Sequence, residues 1–563
     1  MIAKPGVIFN STVFAGKMPA SQWNDHQARS GFDQGELGVK LNKLMSRIRR
    51  VSQIVFLLLF CVLLFQPNIN YQRYLHTELF LELDPLAAIL ASVSGRVLSE
   101  WIALSIITIL LTLVLGRVFC GWVCPMGTTI DLSELAIYRR KKNPAQKKNW
   151  QWLKYAVLVA VIFSALFGIN LWHFLDPIPL ITRIYTMVFY PIVVSGADLL
   201  VKGFRPVSEK LNIQSLEYLQ LQPPLYRQVF LTLGIFSGII GLSALSPRFF
   251  CQNLCPLGAL LGIFSRFSLL GKHISSSCNN CALCEKVCPT GSVEDESWKD
   301  QEAECIKCFV CQDRCPTEAI KYSFSRKPAR NPTIDLSRRR FISAGFFGLG
   351  LGLIGRQSAD LKNRPAKLIR PPGALPELEF LARCSRCGEC VKVCPTRVIQ
   401  PQGLDQGIAG AFAPWLEMRL AGCDQQCRIC NQVCPTRALR ELGLEEKKYA
   451  KLGTAELDQD RCLVYAWDKI CLICDEICPY NAIIFKTINN KRVPVVIPSR
   501  CNGCGWCENA CPVIGESAII VSAAGEIRLR QGSYQEAAQA KGIDLTAADQ
   551  LEPSEEVPEN RLK

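Results

Sequence analysis

The chain is 563 residues long, carries 64 Lys+Arg against 49 Asp+Glu for a formal charge of +15, and is 49% apolar. At roughly 100–200 residues per domain it holds several units, and it is too hydrophobic for a disordered chain and high for a wholly soluble one. Twenty-nine cysteines beside four histidines exclude histidine-built metal catalysis and a short secreted disulfide scaffold, and the absence of Cys-x-x-Cys-His excludes c-type haem.

Residues 1–50 read as a cytoplasmic N-terminal segment and 51–260 as a four-helix transmembrane bundle. Apolar stretches at 52–66, 101–119, 153–172 and 228–246 are of spanning or near-spanning length. Arg47, Arg49 and Arg50 precede the first, and Arg139, Arg140, Lys141, Lys142, Lys147 and Lys148 lie between the second and third. Positive loops stay cytoplasmic, which puts the N-terminus inside a bacterial inner membrane. No cleavable signal precedes the first span, so it serves as its own insertion signal. The competing reading is buried core helices of a soluble protein. Cys61, inside the first stretch, reads as a small buried hydrophobe.

This part repeats itself. Leu83-Asp84-Pro85 follows span one and Leu175-Asp176-Pro177 follows span three; Cys120-x3-Cys124-Pro125 follows span two and Cys251-x3-Cys255-Pro256 follows span four. Two copies of a two-span unit place four thiols at the cytoplasmic face and the Asp-Pro pairs at the opposite face. Three readings of Cys120, Cys124, Cys251 and Cys255 compete: a soft-metal site, a redox disulfide, or pins at helix ends. Asp84, Asp176, His76 and His173 fall near the expected outer mouth, where a quinol bound between the spans would release its protons. Against that, an Asp-Pro is ordinarily a helix-start cap and a lone His a surface residue. No span carries a central histidine for haem b.

Residues 270–325 form a two-cluster unit. Cys278-Cys281-Cys284-Cys288 and Cys305-Cys308-Cys311-Cys315 have the C-x2-C-x2-C-x3-C-P spacing of bacterial ferredoxins. Three close thiolates wrap one [4Fe–4S] cube and the fourth ligates the partner cube. Cys278, Cys281 and Cys284 thus pair with Cys315, and Cys305, Cys308 and Cys311 with Cys288. Zinc would want two separated Cys-x-x-Cys pairs. Residues 335–356 hold Ser337-Arg338-Arg339-Arg340-Phe341-Ile342 and a Gly-rich apolar run, 341–355. This resembles a twin-arginine export signal, acting either as an anchor or as a cleaved segment; the alternative is a helix docking two cytoplasmic domains.

Residues 370–525 carry four more runs: Cys384-Cys387-Cys390-Cys394, Cys423-Cys427-Cys430-Cys434, Cys462-Cys471-Cys474-Cys478 and Cys501-Cys504-Cys507-Cys511. The second and third are looser, and Cys462 has the weakest motif support. Six [4Fe–4S] clusters follow, in two bacterial-ferredoxin-like, loop-rich α+β domains. Residues 530–563 read as a disordered tail.

Residues ~40–325 resemble NapH, through GRVFCGWVCPMG, FFCQNLCPLG and the two cluster motifs that follow. Residues ~335–525 resemble NapG and MauM, through SRRRFI, Arg370-Pro-Pro-Gly-Ala374 and four cluster motifs. The departure is the fusion of two proteins that are usually separate chains. The resemblance implies a quinol dehydrogenase module with a periplasmic C-terminal domain. It would draw on the membrane quinone pool and feed a periplasmic reductase or its cytochrome, typically nitrate reductase, with no nucleic acid involved. It also implies nested pairing in the second block: Cys384, Cys387 and Cys390 with Cys511, and Cys501, Cys504 and Cys507 with Cys394. The rival function is a maturation factor for a periplasmic metalloenzyme; a structural scaffold is the third class.

Overall fold

The computed structural model describes residues 35–65, 78–96, 102–137, 150–168, 172–210, 222–293, 302–324, 337–358, 365–404, 407–488 and 491–543. His76, the basic residues 139–148 and the tail beyond 543 lie outside them.

The first half is helical. Two helices, Leu44–Phe65 and Pro177–Arg205, are long and apolar enough to cross a membrane, and shorter apolar helices include Ala103–Leu115, Trp152–Leu166 and Val229–Leu242. The first of the four expected spans is thus one of the two long helices; the other three form apolar helices of 14–15 residues, about 21–23 Å against a bilayer core of about 30 Å. Left-handed glycines end two of them, Gly116 (φ 80°) after Leu115 and Gly168 (φ 75°) after Leu166. The long helix starting at Pro177 is not among the four expected spans, yet it is apolar enough to cross a membrane although Pro179, Arg183 and Pro191 interrupt it. Its ladder loosens into a π turn, Tyr185–Phe189, just before Pro191, whose missing N–H the chain must absorb.

Between the apolar helices lie half-length ones, each opening on a proline at its first turn: Pro85–Gly95, Pro125–Ile137 and Pro256–Ser265, with Pro177–Ile184 opening the long helix. Proline suits that position because its missing N–H would be unpaired there anyway. Asp84 caps the first of these, accepting from the Leu86 and Ala87 N–H groups at 3.0 and 3.3 Å, the helix-cap role expected of an Asp-Pro. The Asp-Pro pairs are not at an outer mouth, however. Asp84 and Asp176 are both completely buried, their carboxyls face each other, and Asp176 lies within electrostatic reach of Cys255. The half-length helices fold them inward, so the acids and the thiols meet inside the domain.

Arg338–Ser358 is one 21-residue helix, about 31 Å long at 1.5 Å per residue. It runs parallel to Trp152–Leu166: the Arg340 guanidinium lies over the Trp152 ring, Gly348 meets Ala160, and Gly352 meets Ser164 and Phe167. Small residues allow that close approach. A Cβ at Gly348 would come 2.3 Å from the Ala160 carbonyl oxygen, whereas one at Gly350 would meet nothing within 4 Å. Gly348→Leu is therefore expected to cost about 1–3 kcal/mol, the usual range for overpacking, and Gly350→Leu close to nothing. Thermal unfolding of the two variants in detergent measures the difference.

Two cluster blocks sit against this helical domain. In the first, antiparallel strands Leu270–Ile274 and Ile320–Phe324 bracket both cysteine runs, Leu270 pairing with Phe324. In the second, three two-stranded antiparallel sheets join 399–401 to 414–416, 454–457 to 519–522, and 483–488 to 491–496. Its core interlocks with the helices. Met187 belongs to the core of the second block, while Cys387 packs among the apolar residues of the helical domain. The Ser94 hydroxyl donates to the Ala382 carbonyl at 2.6 Å. The expected tail begins too early: Ser533 caps a further helix, Tyr534–Ala540, and Tyr534 is fully buried beneath the Arg440 guanidinium. An aromatic ring with a pocket to fill outweighs the polar composition around it.

Candidate iron–sulfur sites

The strict cysteine runs share one backbone device. On both sides of the second cysteine the chain is left-handed: Asn280 and Ala282, Lys307 and Phe309, Arg386 and Gly388, Gly503 and Gly505. Such conformations are uncommon for side-chain-bearing residues and collect at functional loops. They curl the backbone into the kind of concavity that anion-binding loops use. The looser runs, 423–434 and 462–478, show no left-handed residue beside a cysteine, in keeping with their different spacing.

The sulfurs group into quartets. Burial, and then the neighbouring Cys305 and Cys288 sulfurs, push the Cys308 thiol up to about 11, with Arg49 opposing. Burial raises Cys311 to about 12, with Cys308 and Cys288 adding to the rise. Cys305, Cys308, Cys311 and Cys288 are thus together, as the ferredoxin rule expects. Cys281 neighbours Cys284.

The nested pairing of the second block does not hold. Burial first, and then Cys387, Cys384, Cys434 and Cys430, raise the Cys390 thiol well above its ordinary value, and Cys434 acts on Cys384 as well. Burial and then Cys423, Cys394 and Cys427 act on Cys430, with Lys447 opposing. Burial, then Cys504, Cys501, Cys478 and Cys474, act on Cys507. Cys462 packs with Cys471 and Cys511, and Cys474 feels Cys471 and Cys462. Pairing is therefore sequential: 384/387/390 with 434, 423/427/430 with 394, 501/504/507 with 478, and 462/471/474 with 511. Each two-run unit closes on itself, and the strand pair 454–457/519–522 seals the second.

Cys478, Cys501, Cys504 and Cys507 line one cavity. Backbone N–H groups of Ala482 and Ala455 donate to the Cys478 and Cys501 sulfurs at 3.3 and 3.4 Å, the kind of contact that tunes a cluster potential. Among the described residues no three His, Cys, Asp or Glu side chains close around a single ion.

The four thiols of the repeat also meet. Cys120, Cys124, Cys251 and Cys255 line a second cavity, together with Arg117, Arg248, Glu304, Ile306 and Pro177. His173 is not on the surface: it is fully buried, with both ring nitrogens against the Arg386 guanidinium. The sequence reading passed over the buried arginines. Arg183 is fully buried, stacks over Phe412 at 4.1 Å and neighbours Cys387, and its guanidinium nitrogens have no hydrogen-bond acceptor among the described residues. An arginine inside an apolar helix, nearly two turns past an Asp-Pro, was the available signal.

Comparison with known proteins agrees with this geometry. Models described as 4Fe-4S binding domains match residues 99–144 with 228–276, 278–292 and 494–513, and a 4Fe-4S dicluster domain matches 383–439. That last span contains both 384–394 and 423–434, as sequential pairing requires. The methylamine utilization ferredoxin-type protein MauM of Methylophilus methylotrophus is 40% identical over 170 residues, 29% of this chain and 74% of that protein. Ferredoxin-type protein NapG of Haemophilus influenzae is 30% identical over 211 residues, 35% of this chain and 75% of its own length. NapH of the same organism is 29% identical over 231 residues, 40% of this chain and 66% of that protein. The chain covers 61% and 66% of two uncharacterized Methanocaldococcus jannaschii proteins that it also matches. No solved structure matches. With its C-terminal half aligned to most of MauM and NapG, and its N-terminal half similar to NapH, the chain belongs to the ferredoxin-type NapG/MauM iron–sulfur family, fused in one polypeptide to a NapH-like helical domain.

Proposed function

We propose that this protein is a membrane-bound electron carrier that holds six [4Fe–4S] clusters. It takes electrons from quinol and delivers them to a periplasmic reductase of the nitrate reductase type, directly or through a cytochrome. The observation that carries the reading is the order of the sulfur quartets in the second block. Cys387 lies in the core of the helical domain beside Arg183. Cys390 neighbours Cys430, Cys504 neighbours Cys423, and Cys507 neighbours Cys474. The series ends at 462/471/474/511, where Trp467, Ile470 and Ile514 are 64%, 95% and 98% exposed. Exposed apolar residues of that size mark contact surfaces, and a partner could dock over the last quartet. A [4Fe–4S] centre supplies one-electron transfer, with a potential set by its hydrogen bonds and exposure.

In this reading the helical domain spans the inner membrane with the first block cytoplasmic and the second periplasmic. The Arg338–Ser358 helix is retained as an anchor, its twin-arginine end level with Trp152. The Asp84–Asp176 pair is the acceptor for quinol protons, and His173, held by Arg386, orients the second block on the helices.

The rival maturation role predicts a different defect in a deletion strain. Under electron transfer the terminal reductase is made with its full cofactor content and a reduced dye drives it normally, while quinol-driven turnover fails. Cys507→Ser fails in the same way. A dye-driven loss as large as the quinol-driven one would overturn the proposal in favour of maturation.

A further inference from the structure

The helical domain and the second block meet around the quartet 384/387/390/434. From the helical side, the fully buried Arg183 neighbours Cys387 and stacks over Phe412 of the second block. One turn along the same helix, Thr186 and Met187 pack against Gly388, where a Cβ would come 3.6 Å from a side-chain carbon of each. Arg386 is also fully buried and stands between Cys384 and Cys387 in the chain. It bonds to the His173 ring and donates to the Ala409 carbonyl, neither of them a carboxylate.

A buried guanidinium ordinarily meets an acceptor, because an unpaired buried charge is costly. The three guanidinium nitrogens of Arg183 and the buried Thr186 hydroxyl have none among the described residues. The carboxylates near the quartet are already engaged: Glu377 by Arg370 at 2.7 Å and Arg528 at 2.6 Å, and Glu389 by Lys392. Four thiolates around a [4Fe–4S] cube leave a site net negative, which is the counter-charge that Arg183 lacks. The quartets beyond it differ. At 423/427/430/394 and 501/504/507/478 the neighbouring cations among the described residues are lysines, Lys447 and Lys451, whose ammonium groups also bond backbone carbonyls.

We propose that Arg183 and Arg386 raise the reduction potential of the 384/387/390/434 cluster above those of the 423/427/430/394 and 501/504/507/478 clusters, making it the station that electrons from quinol enter first. The inference rests on the electron-carrier reading. Oxidation of quinol to quinone releases two electrons and two protons. The protons pass to the Asp84–Asp176 pair, and each electron enters the cluster singly with no bond made. Every such reduction adds one negative charge to the site, and a buried cation at the sulfurs favours that reduced form in a low dielectric. Quinol is a weaker reductant than most ferredoxin-type clusters, so an entry station needs this lift. Because Arg183 belongs to the helical domain, its share of the lift exists only while the second block is docked there.

An anaerobic redox titration of the purified full chain, followed by its paramagnetic signals, tests the assignment. The signal missing from Cys434→Ala is expected to have a higher midpoint than those missing from Cys430→Ala and Cys507→Ala. Arg183→Gln is expected to lower that midpoint while iron content and the other signals stay, and Arg183→Lys to keep it near the unmodified value. An unchanged midpoint in Arg183→Gln beside intact quinol-driven turnover overturns the inference and leaves the electron-carrier reading standing. If Arg183→Gln loses the cluster outright, the order of midpoints in the unmodified chain decides, and a value at or below the other two overturns it. Failure of quinol to reduce any cluster of the unmodified chain would sink the electron-carrier reading, and the entry role with it.

Discussion

Cys434→Ala is expected to remove the cluster held by Cys384, Cys387 and Cys390, a loss of about four irons, while Cys511→Ala leaves that cluster in place and empties the outermost one. The two substitutions separate sequential from nested pairing, because serial fourth ligands belong to neighbours in the same two-run unit. Burial and the clustering of sulfurs make deprotonation of these thiols unfavourable; burial, with Cys434 among the neighbours, already pushes Cys384 up to about 11. A cluster's irons are the cations that compensate four thiolates, so deleting one ligand removes both a bond and the charge balance of the site. Double variants sharpen the outcome. Cys434→Ala combined with Cys384→Ala should lose no more iron than either alone, since both act on one cluster, whereas Cys511→Ala combined with Cys384→Ala should lose about twice as much. Iron analysis with paramagnetic spin counting reads both. The reverse pattern of additivity would restore the nested arrangement.

Glu304→Ala is expected to be the most damaging single substitution at the junction of the first block and the helices. Glu304 is 3% exposed and stands directly before Cys305. Its carboxylate accepts from Arg117 at 3.2 Å and from the Tyr155 hydroxyl at 2.9 Å, and forms an ion pair with the fully buried Lys154. Ion pairs with Lys154 and Arg117, working against the cost of its burial, hold the Glu304 carboxyl below its ordinary range. Removing it strands two buried cations, and breaking one buried pair alone costs about 3–5 kcal/mol. The first block should then come away from the helices, with protease cleavage within 266–324 and early loss of the Cys305 cluster. Glu304→Gln, which keeps acceptor capacity without the charge, should be milder. A melting profile for Glu304→Ala equal to that of the unmodified chain would remove this junction from the account.

Much of the site was legible in the chain. Three cysteines within seven residues are placed by local backbone alone, so C-x2-C-x2-C announces a cluster wherever it falls, and the left-handed residues around Cys281, Cys308, Cys387 and Cys504 are that local instruction carried out. The helical character of the first half, the repeat of Asp-Pro and Cys-Pro units and the resemblance to NapH, NapG and MauM were equally readable. The reading of apolar stretches left out Pro177–Arg205, although that helix is apolar enough to cross a membrane with Pro179, Arg183 and Pro191 inside it. It also could not see that Gly116 and Gly168 end their helices early.

What the sequence by itself determined is the inventory: which thiols come in sets, and which segments are apolar. Only the tertiary structure decided which set completes which. The fourth ligand of each quartet lies in another run, and Cys434 rather than Cys511 reaches Cys384, both lying within the dicluster span 383–439. The same holds for the acids and arginines. Asp84 and Asp176 come from different copies of the repeat, as do Cys120 and Cys251, and half-length helices turn them inward to one buried region. Spacing along a chain governs contacts within a few residues; contacts between distant segments depend on how whole helices pack, and on where buried charge finds a partner.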